Sequence, residues 1–527
     1  MTVFPYLTVA GNLWLGKLWS VVPHISVVDN GKGRAVRVVF SERGGRKDLQ
    51  HVGTAHSDAQ LAALKARAQA IIDGEQQSFD FGLDVPAVST GSVTNPVPIT
   101  RERAGCLLDV FEHAWQALGF DAATADDQVF KHLVFARLIQ PGSKIDSIET
   151  LAEVGVQSAS YATIKRYLPT YATQAFQHAL THAAAKHTGI GPGVLVLYDV
   201  TTLYFETDTP DELRKPGFSK ERRVDPQITV GMLADARGFP LQVGAFEGNR
   251  AETHTMLPMI RRFQQAYGLD EITVVADAGM FSAANKRAIA EAGLGYILGT
   301  RFQQIPPVIH QWRQAHPDQE YVHGQVWSAP KFSTTDPNQV QESVTHYQYS
   351  WDRARRSLRG IKEQVAKAQK AVEGKIPVKR NRYVKMTTDS KTVDWSLVQK
   401  NTALAGIKGY ETNRLHLSSD QVIDAYRQLF AIEQSFRMSK HDLKARPIYH
   451  RKHDSIHAHL TVVMAAMAIG HYLEDRSGKS LKRLVRILKK YRTFEITVQG
   501  HTIHAASETP PEISDLITQL TSQNSAN

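Results

Sequence analysis

The chain has 527 residues, enough for about three or four domains of ordinary size and for a sizeable hydrophobic core. Hydrophobic residues make up 42% and charged residues 22%, which excludes wholesale disorder, and the single cysteine excludes an intramolecular disulfide and every cysteine-based zinc or iron–sulfur site. A net charge of +10 favours polyanionic partners.

The N-terminal region predicts a small α+β domain over residues 1–84, a candidate DNA-binding domain. Residues 35–40 and 48–52 have the composition of strands that flank a double-glycine turn at 44–45. Residues 56–74 have the periodicity of a helix with one apolar face. We therefore expect two strands followed by a helix in this domain.

A linker rich in Pro, Val, Ser and Thr at residues 85–100 separates this domain from a helical region at residues 101–190. Within the helical region, residues 158–168 fit either the second helix of a helix-turn-helix or an ordinary amphipathic helix. We favour the ordinary helix, because so short a pattern is weak evidence for a DNA-binding motif.

Continuous apolar runs predict two buried strands, residues 194–198 and 272–276, which end at Asp199 and Asp277. Further elements complete a mixed α/β layer, with strands at 228–234, 241–246 and 295–298 and helices at 253–267 and 282–292. We assign residues 191–301 to the first part of an α/β core.

The α/β pattern is interrupted over residues 302–415, and we predict an insertion domain there. Within it, residues 353–385 contain twelve Lys or Arg and only two acids, and they predict a strongly basic helix. The α/β pattern resumes over residues 416–475, where a long helix at 420–440 precedes a more apolar one. These residues form the predicted second part of the core.

The C-terminal region, residues 476–527, is basic at its start. Residues 476–492 contain eight Lys or Arg and no acid, which fits either a phosphate-binding surface or the solvated face of a packed helix. A second basic helix in the insertion makes a purely structural explanation of both less convincing. The two segments therefore favour a nucleic acid as the partner.

No segment has the pattern of a membrane span. The apolar run at residues 460–473 is short for a bilayer and contains His471, so we predict a buried helix. The apolar N-terminus lacks a basic leader and carries Lys17, unlike a secretory signal. We expect a cytoplasmic protein without a membrane partner, and we hypothesise that residues 1–31 are an extension upstream of the true start.

Asp199, Asp277 and Glu433 predict a metal site. Ligands and catalytic groups gather at the carboxyl ends of strands in α/β sheets, although aspartate is also an ordinary strand terminator. Glu433 lies beside apolar residues on its helix, so its carboxylate needs a partner. A metal ion would serve, and so would an ion pair with Arg437 or Lys440.

Three carboxylates without nearby cysteine or paired histidine ligands suit a hard cation, Mg²⁺ or Mn²⁺. Three acids can hold two such ions about 4 Å apart, the arrangement that serves in-line phosphoryl transfer. Tyr426 and Lys440 stand seven residues before and after Glu433, so the three side chains lie along one stripe of a continuous helix.

The order and surroundings of the three acids resemble the RNase H-like fold of DDE transposases. Within them, the sequence is similar to the bacterial insertion-sequence group with a YREK motif around the catalytic Glu and a large insertion before it. The matching stretches cover about half of the chain, residues 193–473. They are LYDVTTLYFE around Asp199, GFSKERRVDPQITVGMLADARGFPLQVGAFEGN, TVVADAGMFS around Asp277, GYETN, and YRQLFAIEQSFRMSKHDLKARPIYH around Glu433.

The resemblance implies that Asp199, Asp277 and Glu433 are the catalytic acids and hold two Mg²⁺ ions, with Mn²⁺ as a substitute. It also implies a β-rich insertion before Glu433 and cleavage at the ends of a mobile element. Leu429 stands where the motif has Arg, so Arg427 or Arg437 would have to replace that contact. The residues expected to contact DNA are Tyr426, Arg437, Lys440, Lys444 and Arg446.

These observations predict a DNA transposase that cleaves and joins DNA at insertion-sequence ends. The regions before residue 191 would recognise the element ends, and a homodimer would hold two ends in a synaptic complex associated with the nucleoid. Two alternatives stay open: an RNase H-fold nuclease or resolvase without strand transfer, and a non-catalytic DNA-binding protein derived from a transposase.

Overall fold

The structure, a computed structural model, describes residues 22–29, 31, 33–41, 47–75, 96–191, 193–207, 209–217, 224–251, 254–269, 271–278, 283–332, 341–377, 381–386, 390–498 and 501–522. The start of the chain up to residue 21, the double-glycine turn and most of the 85–100 linker lie outside the described residues. The chain divides into two compact units, Met1–Val97 and Pro98–Asn527.

The first unit contains a three-stranded antiparallel sheet in the order β1-β2-β3 and one helix. Its elements are β1 Val22–Asp29, β2 Arg34–Ser41, β3 Lys47–Ala55 and α1 Asp58–Glu75. Val36 and Val38 of β2 are buried with Ala68 and Ile72 of α1 in a small core. The two predicted strands and the helix are confirmed, and β1 is a further strand that the sequence pattern did not indicate.

The second unit begins with a strand and a layer of helices. These elements are β4 Ile99–Arg103, α2 Gly105–Ala117, α3 Phe120–Ala123, α4 Gln128–Ile139, α5 Lys144–Glu153, α6 Tyr161–Tyr171 and α7 Gln174–Thr188. Trp115 lies at the centre of this layer, with the rings of Phe120, Phe130 and Phe135 at centroid distances of 5.4, 6.0 and 6.0 Å. The predicted helices over this region are confirmed.

The segment compared with a helix-turn-helix forms most of α6. The Ser160 hydroxyl accepts a hydrogen bond from the Thr163 backbone N–H at 3.3 Å and caps the helix. Ile164 and Leu168 are buried in the main core of this unit. This arrangement agrees with the favoured interpretation, an ordinary amphipathic helix.

A mixed sheet forms the centre of the second unit. Its core elements are β5 Val194–Tyr204, β6 Gln227–Ala234, β7 Pro240–Glu247, α8 Met256–Tyr267, β8 Ile272–Ala276, α9 Ala283–Glu291 and β9 Gly295–Thr300. β5, β8 and β9 are parallel, β6 is antiparallel to β5, and β7 is antiparallel to β6 at the edge of the sheet. Every residue of β6 and β8 is buried, as expected for strands covered on both faces. The predicted mixed α/β core is confirmed.

The insertion extends this sheet. Its elements are α10 Pro307–Ala315, β10 Val326–Phe332, β11 Gln341–Tyr349, α11 Trp351–Val372, β12 Val384–Met386, β13 Lys391–Val393, α12 Trp395–Ala403 and β14 Ile407–Thr412. The strand order becomes β10-β11-β14-β9-β8-β5-β6-β7, with β14 antiparallel to β9. The basic helix α11 ends well before residue 385, because Gly374 follows it with a φ of +75°.

The remaining elements complete the core and return to the start of the unit. They are α13 Ser419–Arg427, α14 Leu429–Arg437, a π-helical turn Met438–Asp442, α15 His453–Ser477, α16 Leu481–Leu488, β15 Thr493–Val498, β16 His501–Ala506 and α17 Pro511–Thr521. The helix predicted at 420–440 is interrupted at Gln428. β15 pairs with β4, so the C-terminal region folds together with the helical layer.

Helix α15 passes through the interior of the second unit. It is long and apolar enough to cross a bilayer by length and composition, but 89% of its apolar window is buried inside the protein. Its buried Thr461 hydroxyl donates a hydrogen bond to the Tyr171 carbonyl at 2.9 Å. The predicted buried helix is confirmed.

The turn between β6 and β7 offers a test of the packing beneath α14. Gly238 has a φ of +87°, and a Cβ atom there would lie 2.7 Å from the Ala431 carbonyl oxygen on α14. We expect Gly238→Ala to lower the thermal unfolding midpoint more than Gly478→Ala does. Gly478 has a φ of +62° but open space around it, so its variant bears only the conformational cost of about 1 to 2 kcal/mol. Equal decreases of the unfolding midpoint in a calorimetric scan would show that α14 does not pack closely against this turn.

Candidate active site

Asp199 and Asp277 lie at the same level of two adjacent parallel strands. In the register of β5 and β8, Leu197 pairs with Val275, and each aspartate follows two residues later. Neighbouring strands are about 4.8 Å apart, so the two aspartates are neighbours across the sheet. Asp277 directly follows the end of β8, as predicted. Asp199 instead lies inside β5, which continues to Tyr204.

The Asp277 carboxylate accepts a hydrogen bond from the Tyr426 hydroxyl at 2.6 Å. Tyr426 is buried on α13, with 6% of its surface exposed. Gly299 on β9 leaves room for its ring, because a Cβ atom there would lie 2.5 Å from the hydroxyl oxygen. The motif tyrosine therefore orients the second aspartate in this structure, and its predicted contact with DNA stays a prediction.

Lys408 on β14 is a cation beside this pair. Its ammonium nitrogen lies 4.2 Å from the centroid of the Tyr426 ring, and its charge interacts with both Asp277 and Glu433. Burial lowers the pKa of Lys408, and the two carboxylates oppose that effect. Lys408 thus places a positive charge between the second and third predicted acids.

The electrostatic environment favours the ionised form of Asp277. Burial raises the pKa of this carboxyl, but the hydrogen bond from Tyr426 lowers it. The positive charges of Lys408 and Arg301 also act to lower it, and the net pKa lies below the usual value. Asp277 is therefore a carboxylate over the whole physiological range.

Glu433 reaches the site from α14, which packs against β5. Two contacts hold the helix: the buried Ser435 hydroxyl donates to the Gly238 carbonyl at 2.6 Å and lies 2.9 Å from His471 Nε2. Ile432 and Phe436 are buried, but Glu433 itself is exposed. The expectation that Glu433 avoids the solvated face of its helix is therefore wrong, and Phe430, one turn before it, is likewise 63% exposed.

The oxygen ligands of this site determine whether it can hold a divalent cation. Among the residues that the structure describes, no group of three or more His, Cys, Asp or Glu side chains is close enough to hold a metal ion. Asp199 and Asp277 nevertheless fit a hard cation by their chemistry and their shared level, since Mg²⁺ is commonly held by one or two carboxylates plus substrate phosphates. Glu433 acts electrostatically on Lys408 and Tyr426, the two neighbours of Asp277, but it completes no group of three ligands among the described residues.

The other predicted DNA contacts follow Glu433 along the chain. Arg437 is exposed at the end of α14, and Lys440 lies in the π-helical turn. The Arg446 guanidinium lies 5.8 Å from the centroid of the Tyr204 ring. Lys444 has a φ of +43° and lines a cavity together with Arg446.

No sequence pattern pointed to Lys408 or to a role for the GYETN stretch. That stretch is structural: Glu411 forms a buried ion pair with Lys286, and the Asn413 side chain bonds to the backbone of β9, accepting from the Tyr296 N–H at 2.8 Å. These contacts fix β14 to α9 and β9 and so hold Lys408 beside Asp277. A lysine in an otherwise largely buried strand was the available signal.

Two carboxylates at one level of adjacent parallel strands, with a third on a nearby helix, are the acids expected of a DDE transposase. A family model described as a transposase DDE domain matches residues 191–469, more than half of the chain. The chain therefore belongs to the transposase DDE domain family, as its sequence predicted.

Comparison with solved structures shows a similarity to the piggyBac transposase in a cryo-EM structure of its synaptic complex with hairpin DNA. The identity is 10%, the match covers 77% of this chain and 74% of that chain, and the TM-score is 0.35. No curated protein matches the sequence.

The Tyr426–Asp277 hydrogen bond can be tested through its effect on stability. Without metal, we expect Tyr426→Phe to lower the free energy of unfolding at neutral pH by about 1 to 2 kcal/mol, the low end for a bond to a charged group in a partly open site. Because the pKa of Asp277 is lowered in the folded protein, this contribution is present at neutral pH and is lost as the pH falls through that pKa. Denaturant unfolding at several pH values measures both effects.

A matched control for this variant is Tyr267→Phe. The Tyr267 hydroxyl is buried and makes no hydrogen bond within the described part of the chain, so its removal should leave the stability unchanged or slightly increased. A loss for Tyr426→Phe that equals the control at neutral pH would contradict the assigned hydrogen bond.

Proposed function

We propose that this protein is a DNA transposase that cleaves DNA at the ends of a mobile element and joins those ends to a target. The observation that carries the proposal is the shared level of Asp199 and Asp277 on adjacent parallel strands, within the region matched by the family model. Two carboxylates placed side by side at the edge of a nucleotide backbone are suited to metal-assisted phosphoryl transfer.

In the proposed mechanism, Asp199 and Asp277 hold divalent metal, Mg²⁺ with Mn²⁺ as a substitute, and Glu433 completes the ligand set. When bound there, the metal would supply charge compensation and would lower the pKa of the attacking water. In cleavage, a water oxygen forms a bond to phosphorus while the bond to the 3′ oxygen breaks, leaving a 3′-hydroxyl and a 5′-phosphate. In joining, that 3′-hydroxyl attacks a target phosphodiester and a new 3′-hydroxyl departs.

The protein's own side chains orient a metal ligand and compensate negative charge. The Tyr426 hydroxyl fixes the orientation of the Asp277 carboxylate, so one ligand is preorganised before DNA arrives. Lys408 supplies a positive charge beside Asp277, where phosphate oxygens would accumulate negative charge. Arg353, held by hydrogen bonds to the Gln348 and Gly406 carbonyl groups at 3.2 Å, lies close enough to Lys408 to act on its pKa.

DNA is the proposed partner, and the basic residues that follow Glu433 support this assignment. Transposition joins two element ends at one target, so we propose a homodimer in which each copy holds one end. Action on chromosomal DNA would place the protein in the cytoplasm, at the nucleoid.

The proposal predicts metal-dependent cleavage that requires both aspartates. The full-length protein would be incubated with the DNA that flanks its gene and with Mg²⁺, and the 3′ ends and joined products would be mapped on gels. We expect Asp199→Asn and Asp277→Asn each to reduce cleavage by more than about a hundredfold, since loss of an outer-shell partner alone costs up to that factor. Asp424→Asn, an exposed change on the helix that carries Tyr426, is the matched control and should cleave normally.

The same assay separates the alternatives. Cleavage without joined products would indicate a nuclease or resolvase, and DNA binding without cleavage would indicate a non-catalytic binding protein. Equal cleavage by Asp277→Asn and the wild type would contradict the proposed mechanism.

A further inference from the structure

A cavity of about 500 Å³ lies between the helical layer and the segment that follows the Glu433 helix. Arg137 at the end of α4 and Lys144 at the start of α5 contribute one wall. Lys444 and Arg446, 300 residues later in the chain, contribute the other. None of the sequence patterns connects these two segments, and the site proposed above does not use Arg137 or Lys144.

Arg137 and Lys144 contact neutral acceptors in this cavity. Among the described residues that line it, one is acidic, Asp146, and its carboxylate accepts the Ser143 backbone N–H at 2.7 Å as part of the α5 capping box. The Arg137 guanidinium donates a long hydrogen bond of 3.4 Å to the Leu443 carbonyl, and the Lys144 ammonium lies 2.9 Å from His450 Nδ1. Positive charge is thus concentrated at neutral acceptors.

The lowered pKa values of these groups show that burial and mutual repulsion disfavour their positive charges. Burial lowers the pKa of Arg137 to about 10, with no acid opposing it. Burial and the charges of Lys144 and Arg137 lower the pKa of His450 to about 3. A desolvated cation whose hydrogen-bond partner is neutral is costly, so an anion placed beside Arg137 and Lys144 would be stabilised.

The rim of the cavity is aromatic. Tyr449 is 68% exposed and Tyr161 is 46% exposed, and both line the opening. Cations that hold a phosphate, flanked by aromatic rings that can pack against bases or sugars, are the features by which proteins hold a nucleic-acid strand. This rim favours a DNA phosphate over a free phosphate ion as the occupant.

The cavity is attached to the strand that carries Asp199. The Ile448 backbone N–H donates to the Tyr204 carbonyl at 3.1 Å, and Arg446 lies over the Tyr204 ring. Tyr204 stands five residues beyond Asp199 on β5, which is about 17 Å of extended strand. Since base pairs rise by about 3.4 Å, DNA that reached both places would span about five steps between them.

We propose that this cavity binds a backbone phosphate of the DNA about five steps away from the phosphate that is cleaved. Arg137 and Lys144 from the helical layer and Lys444 from the segment after Glu433 hold the phosphate, and Tyr449 packs beside it. The inference rests on the proposed function and adds an anchoring site to it, one that joins the helical layer and the catalytic core through the DNA itself.

The experiment measures the salt dependence of DNA binding. The full-length protein is titrated into a fluorescent random-sequence DNA duplex in EDTA at several salt concentrations. We expect Lys144→Gln and Lys444→Gln each to weaken binding about tenfold at low salt and to reduce the slope of log K against log salt by about one, because each removes one phosphate contact. Lys186→Gln, an exposed lysine at the end of α7, is the matched control and should keep the wild-type slope.

Two further measurements identify the occupant. Tyr449→Ala should weaken DNA binding by about fivefold or more while leaving the binding of inorganic phosphate, measured by calorimetry, unchanged. If phosphate binds to the wild type but not to Lys144→Gln, and the DNA slopes stay equal, the cavity holds a free anion and the DNA assignment is overturned. If neither ligand responds to the lysine changes, the cavity is no anion site.

The outcome for the cavity is separable from that for the catalytic site. If both lysine variants keep the wild-type slope of log K against log salt and the wild-type protein cleaves DNA with Mg²⁺, the cavity proposal is overturned and the proposed function stays intact. A wild-type protein that neither binds nor cleaves DNA would overturn both.

Discussion

The parallel pairing of β5 with β8 is the constraint on which the site depends. It brings two aspartates that are 78 residues apart in the chain to one level of the sheet, and the buried apolar strands below them hold that register. A shift of the register by one residue would turn one carboxylate to the opposite face of the sheet. The chemistry proposed for this protein therefore rests on the packing of Leu197 and Val275 as much as on the acids.

The rest of the second unit positions groups around this pair. Gly238 and Ser435 pack α14 against the turn between β6 and β7. Strand β14 of the insertion pairs with β9 and places Lys408 beside Asp277. The insertion is thus a continuation of the core sheet and contributes a charge to the site. Glu433 lies on the exposed side of its helix, where its charge acts on Lys408 and Tyr426.

The sequence was informative where a local pattern reports burial. The apolar runs before Asp199 and Asp277 and the long buried helix α15 follow from composition alone, and both are present. Strand β1 was missed because its exposed valines, Val27 and Val28, do not alternate with polar residues as they do in a half-buried strand. Tyr426, Glu433 and Lys440 were expected along one side of a continuous helix. The helix is instead interrupted at Gln428 and passes into a π-helical turn at Met438–Asp442.

Features that depend on distant segments had no local signal. Lys408 is placed at the site by its contact with the Tyr426 ring, and the basic cavity is lined by both Lys144 and Lys444. The pairing of β4 with β15 likewise unites residues almost 400 positions apart, which no periodicity can indicate. The family resemblance supplied the identity of the acids, but the contacts that hold and neutralise them came only from the fold.

The most direct test of the central claim is to locate the metal. Crystals of the protein with DNA and Mn²⁺ would be measured at a wavelength where manganese scatters anomalously. The account predicts an anomalous peak within about 2.5 Å of carboxylate oxygens from both Asp199 and Asp277. Manganese bound elsewhere, with these two carboxylates making no contact to it, would contradict the account.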